Sequence, residues 1–152
     1  MAYVTAEARQ NLLDDLAQSI EELGVALAAL GAAYEALDEA SGDRLEEGLF
    51  RPVQAAYGRA QRTHTAFAER YGLPTRSFAP ASAGLPSQGV KGFLERAVEA
   101  IVESDTLLVE LQDSMAPVEV GDEQLRAGLA EVRALLADLQ DRAALFVSRF
   151  GR

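Results

Sequence analysis

The sequence predicts an all-α protein, a four-helix bundle made of two helical hairpins. Three observations carry this reading. Apolar residues recur in alternating steps of three and four in four separate segments, which puts each set on one stripe of a helix. Short breaks separate the first segment from the second and the third from the fourth, and one long connection joins the two pairs. Of the 152 residues, 49% are hydrophobic and 25% charged, the balance of a folded chain and not of a disordered one. One shared core suits this length, so residues 1–152 are read as a single domain with an inter-hairpin linker at 73–89.

In the first segment Leu13, Leu16, Ile20, Leu23, Leu27, Leu30, Tyr34 and Leu37 form a heptad seam, with Glu21, Glu22, Glu35 and Glu39 off it. Gly24 and Gly31 lie one heptad apart on one flank. An interior glycine costs about 1 kcal/mol relative to alanine. The pair therefore points to close approach of a neighbouring helix or, alternatively, to a slot for a small ligand. Ser41-Gly42-Asp43 reads as a tight turn, with Asp43 and Glu46 as a capping box that opens the second helix.

The second segment carries the seam Phe50, Val53, Tyr57, Ala60, His64, Phe67 and Tyr71, which includes the only histidine. Pro52 cannot donate to residue 48 and crowds its carbonyl. Either one helix ends near Phe50 and another begins, or one helix kinks with Gly48 absorbing the strain; the unbroken phase of the seam favours the kink. Tyr71-Gly72-Leu73-Pro74 ends the helix, with glycine just past the last turn and proline soon after. The linker that follows contains Pro74, Pro80, Pro86 and an isolated Phe78, which is expected to pin it to the helices.

The third segment has the seam Leu94, Ala97, Ile101, Ser104, Leu108, Leu111 and Met115. Ser104 is a polar residue at a core position, with Asp105 beside it; its hydroxyl is expected to bond back to its own helix. This segment ends before Pro117, and Gly121-Asp122 restarts the chain as a cap. The fourth seam is Leu125, Leu129, Val132, Leu136, Leu139, Ala143, Phe146 and Phe150. Four apolar stripes make a bundle the economical solution. A 17-residue linker spans up to about 55 Å when extended, against about 45 Å for a 30-residue helix. Both a ferritin-like crossover and an up-down-up-down path are open, as is exchange of hairpins with a second chain.

Composition excludes several chemistries. Without cysteine there is no disulfide, thiolate metal site or cysteine nucleophile. The N-terminus, Met1-Ala2-Tyr3-Val4, lacks a basic and then apolar leader, and no apolar run reads as membrane-spanning, so the expectation is a soluble cytoplasmic protein. The net charge of −10 argues against nucleic-acid or anionic-membrane partners. That charge is uneven: residues 1–43 carry −8, residues 44–91 carry +4 and residues 92–152 carry −6. Arg51, Arg59, Arg62 and Arg70 are expected to answer acids on adjacent helices.

The helix layout resembles that of ferritin-like proteins, but a di-iron site needs two Glu-x-x-His motifs and this chain has one histidine, preceded three residues earlier by Gln61. No metal site and no cofactor is expected. A haem held by His64 and Met115 is set aside too, because a lone histidine on an apolar face is ordinarily a packed core residue. Glu35-Ala36-Leu37-Asp38 resembles half of the magnesium-binding pattern of helical nucleotide pyrophosphatases, and no Glu-x-x-Glu accompanies it. Phosphate loops, His-Glu-x-x-His and Gly-x-Ser-x-Gly are absent. If Ser104 or Asp105 faces His64, the three form a buried polar network that fixes helix register.

These readings point to a non-enzymatic helical bundle that works through protein contacts, as a homodimer or with another protein partner. The alternative is a small-molecule binder with a pocket between the first two helices, lined by Gly24, Gly31, Tyr34, Tyr57 and His64. A second alternative is a degenerate ferritin-like protein or an enzyme whose site follows no familiar motif.

Overall fold

The computed structural model describes residues 2–79, 82–84 and 86–150. Among these residues the regular structure is all helical, without strands, and the helices pack against one another. Helix α1 (Ala2–Ala36) is a long run of Ala, Leu and Glu with no proline to stop it. Residues 23–34 carry no charge. Contrary to the sequence expectation, the Thr5–Ala36 stretch is long and apolar enough to cross a membrane, with a mean hydropathy of 1.3. Most of that apolar window is buried by other helices, which is how a central core helix passes the same test.

The first turn falls earlier than the sequence suggests. Asp38 has extended backbone and its carboxylate accepts from the Ser41 N–H at 2.8 Å, capping α2 (Glu39–Leu45). Ser41-Gly42-Asp43 therefore lies inside a helix, and the cap is Asp38 instead of Asp43. Gly42 lets the Tyr34 ring pack closely on α2: a Cβ there would sit 3.2 Å from Tyr34 Cε2, so a side chain at 42 would push the ring back by a few tenths of an ångström.

Pro52 neither breaks the helical path nor stands alone as a kink. One expanded π-helical turn, Glu46–Phe50, joins α2 to α3 (Arg51–Arg70), and the Arg51 N–H reaches back five residues to the Glu46 carbonyl. The wider turn leaves room for the proline ring in the first turn of α3, where its missing N–H costs least. Helix α3 then ends as the sequence indicates. Gly72 is left-handed (φ 65°), and the N–H groups of Gly72 and Leu73 bond to the carbonyls of Glu69 and Ala68.

After the linker, a 3-10 turn at Pro86–Gln88 leads into α4 (Gly89–Asp113); Pro80 lies outside the described residues. The chain reverses at Met115, which takes a left-handed conformation (φ 66°), and a short α5 (Ala116–Val120) precedes Gly121 and α6 (Glu123–Phe150). The reversal removes Met115 from the α4 seam: it is 51% exposed. Asp122 caps α6 as expected, accepting from the Leu125 N–H at 2.7 Å.

Packing follows the seams. Val53, Tyr57, Ala60, His64 and Phe67 are buried on α3, and Leu94, Ala97, Ile101, Ser104, Leu108 and Leu111 on α4. Helix α1 packs on both α3 and α4, and α6 packs on the same two. Helix α1 is buried on more than its seam, with Leu12, Ala17, Ala26, Ala29 and Ala33 also inside. Residue pairs give the directions. Between α1 and α3, Arg9 lies over the Tyr71 ring at 3.9 Å, and Gly31 and Tyr34 share a cleft with Phe50. Between α3 and α6, Arg70 meets Asp122, Arg59 meets Glu131 and Gly48 meets Phe146. Between α1 and α4, Ser19 meets Ser104, and Asp15 and Gln18 share a cleft with Leu111 and Ser114. Each of these pairings runs in opposite chain order, so α1 is antiparallel to α3 and α4, and α6 is antiparallel to α3.

Candidate functional site

Of the five residues the sequence offered as a ligand pocket, the structure brings two together. Gly31 and Tyr34 line a cleft of about 260 Å³ with Glu35, Glu46 and Phe50. A Cβ added at Gly31 would meet nothing within 4 Å, so close helix approach does not account for this glycine. Tyr34 is 39% exposed at the end of the α1 seam. Gly24 is buried within α1. Tyr57 and His64 face the core further along α3, outside that cleft, and burial holds the Tyr57 phenol above its ordinary pKa.

His64 is 3% exposed, and its Nδ1 is buried without a hydrogen-bond partner. Burial, and then the nearby Arg76 guanidinium, pull its pKa below the ordinary value; Asp14 and the Leu13 backbone oppose this more weakly. The linker closes over it. Phe78 meets the imidazole edge-on with ring centres 5.3 Å apart, Arg76 lies over Phe78 and ion-pairs with Glu21, and the Ser82 carbonyl accepts from Arg96. Phe78 thus pins the linker as the sequence suggested, and His64 is the surface it is pinned to.

The polar residues of α4 do not reach His64. Ser104 pairs across the interface with Ser19: the two hydroxyls are 2.7 Å apart, and each is 3.0 Å from the other residue's carbonyl. Its hydroxyl bonds to a neighbouring helix and not to its own. Asp105 instead turns to α6, where Arg133 donates to it at 3.2 Å and Gln140 at 3.1 Å. Met115 is 51% exposed just beyond the end of α4, whereas His64 is buried. Among the described residues no group of three or more His, Asp or Glu is placed to hold a metal.

The basic residues of α3 are mostly answered by acids. Arg59 pairs with Glu131 at 2.8 Å and Arg70 with Asp122 at 2.6 Å, both on α6, whereas Arg51 approaches Glu46 of its own helical path at 3.8 Å. Arg62 instead lines a shallow outer groove with Gln61, Thr65, Ala66 and Glu69. Asp122 is the most heavily used acid. It also accepts from the Tyr71 hydroxyl at 2.8 Å, so the end of α3 and the start of α6 are tied at one carboxylate.

The feature that sequence reasoning missed lies at the end of α6. The seam is buried through Ala143, but Phe146 and Phe150 are only partly buried and stack with centroids 5.6 Å apart. Leu145 is 70% exposed and lines a groove with Arg142, Phe146 and Arg149. The signal was present in Leu145-Phe146-Val147: three consecutive apolar residues cannot share one helical stripe. This groove adjoins the π-helical turn, since a Cβ at Gly48 would lie 2.9 Å from the Phe146 ring. Comparison of the chain with protein-family models, curated proteins and solved structures finds no match.

Proposed function

We propose that the chain is a non-enzymatic four-helix bundle with a ferritin-like crossover, acting through protein contacts that include a second copy of itself. The antiparallel pairings support the bundle, with α1 and α6 as one diagonal pair and α3 and α4 as the other, and the linker passing along the length of the helices. The observation that carries the function is the apolar end of α6. A solitary exposed leucine is ordinary on a protein surface, but Leu145 stands at 70% exposure beside the partly buried Phe146, Val147 and Phe150. A contiguous apolar patch rimmed by charge is the usual form of a contact surface. Sedimentation of the full chain across a wide concentration range tests this: a rising mass supports it, and a monomer at every concentration refutes the self-association.

A second reading has one observation in its favour. Gly31 leaves open a cleft of about 260 Å³ between α1 and the π-helical turn, with Tyr34 and Phe50 as aromatic lining. That volume is below the roughly 300–1,000 Å³ of sites for drug-sized ligands, so it suits a smaller molecule. Native mass spectrometry showing extra non-covalent mass that Gly31→Leu removes would favour this reading over the first.

A further inference from the structure

Resting on the self-association reading, we propose that two copies join reciprocally, the Leu145 ridge of α6 in each entering the Gly31–Tyr34–Phe50 cleft of the other. Both features belong to the same end of the molecule and flank the same π-helical turn. Glu46 and Phe50 of that turn line the cleft, and Gly48 of the turn packs on Phe146 beside the ridge. The ridge and the cleft are therefore close enough on one chain to be used together, as a two-fold contact requires.

Charge selects a second copy as the occupant. Two chains of net charge −10 repel at large, so a self-contact must use the places where the signs differ. Leu145 is flanked in its groove by Arg142 and Arg149, and residues 142–150 contain no acid. The cleft is rimmed by Glu35 and Glu46, and residues 35–47 carry six acids against one base, Arg44. The pairs these groups make within the chain are exposed ones: Arg142 with Asp138 at 3.0 Å and Glu46 with Arg51 at 3.8 Å. Exposed pairs contribute little, so exchanging them for contacts between chains costs little. The missing side chain at Gly31 leaves the open space that the leucine enters.

The test uses charge exchange on the full chain, read by sedimentation velocity, with circular dichroism at 222 nm to verify folding. Leu145→Glu is exposed and is expected to keep the helicity while weakening self-association by about tenfold or more. Arg142→Glu with Arg149→Glu reverses the ridge, and Glu35→Arg with Glu46→Arg reverses the cleft. Each doubly substituted protein alone is expected to be monomeric, and an equal mixture of the two is expected to dimerise again, because both contacts of the mixed pair regain opposite charge. A wild-type dimer unaffected by these changes overturns the ridge-and-cleft contact while leaving self-association standing. Reversed proteins that stay monomeric when mixed also overturn it. A wild-type chain that is monomeric throughout removes both.

Discussion

Removing the Asp122 carboxylate is expected to cost more than removing an ordinary helix cap. The group is 6% exposed and accepts four hydrogen bonds: Arg70 Nη2 at 2.6 Å, Arg70 Nε at 3.0 Å, Tyr71 at 2.8 Å and the Leu125 N–H at 2.7 Å. Loss of a cap alone costs about 1 kcal/mol. Asp122→Ala also leaves the Arg70 guanidinium and the Tyr71 hydroxyl without this acceptor at the α3–α6 junction. Arg70 faces solvent and keeps its bond to Gln124 at 2.8 Å, so the further loss is that of charged hydrogen bonds, about 1–2 kcal/mol, and the expected total is about 2–3 kcal/mol. For a protein of this length it lowers Tm by about 4–12 °C. Burial raises the Asp122 pKa, but the bonds from Arg70, Leu125 and Tyr71 outweigh it and hold the carboxyl below its ordinary value. The linked stability is therefore present above the unfolded pKa of about 3.9 and is lost as pH falls through the lower folded value. Urea unfolding followed at 222 nm should give the full difference between wild type and variant at pH 7, narrowing below about pH 4. Asp122→Asn should lose about half as much, since it keeps an oxygen for the cap. A loss under about 1 kcal/mol at pH 7, or a difference that persists unchanged in acid, would refute the reasoning.

Two glycines on the helices should respond in opposite directions. Gly31→Ala meets nothing and should stabilise by about 0.5–1 kcal/mol, whereas at buried Gly128 a Cβ would clash with Thr63 Oγ1, which is held by its bond to the Arg59 carbonyl, so Gly128→Ala should destabilise by about 1–3 kcal/mol. Matched thermal melts check the pair, and equal shifts would contradict the packing of α3 on α6. His64 has a depressed folded pKa, so the unfolded chain binds more protons between that value and about 6.5, and stability should fall as pH drops below about 6.5. His64→Phe should flatten that part of the stability–pH curve, which urea titrations at several pH values would detect. Ser104→Ala should cost about 1 kcal/mol, and removing Ser19 as well should cost less than the sum of the two single changes. Strict additivity in the double-mutant cycle would mean that the hydroxyls do not interact.

The parts of the fold that were legible in the sequence are those set by local pattern. The four seams mark buried positions, Gly72 marks the end of α3, and Asp122 marks the start of α6, because periodicity and capping act within a few residues. Where two local signals competed, pattern alone did not choose between them. Asp38 and Asp43 both suit a cap; Asp38 takes the role by accepting from the Ser41 N–H, and the α2 turn that follows sets Gly42 against the Tyr34 ring. Pro52 was legible as a strain, but the remedy, an expanded turn fitted against the Phe146 ring, depends on a residue almost a hundred positions away. Long-range pairing was illegible for the same reason. Nothing near Ser104 names Ser19, and nothing near Asp122 names Arg70. The candidate site divides likewise: Gly31 and Tyr34 lie one turn apart on one helix, so their grouping was readable, while Glu46 and Phe50 join them only through the docking of the π-helical turn. Tyr57 and His64 shared a seam with Phe50 but extend along α3 away from the cleft.

Sedimentation velocity of the full wild-type chain beside Leu145→Glu, with helicity measured on the same samples, tests the central claim most directly. The wild type is expected to move from the mass of one chain to that of two as concentration rises, and the variant to remain equally helical but stay at one. A wild type that holds the mass of one chain at every concentration, or a variant that associates just as tightly, would contradict it.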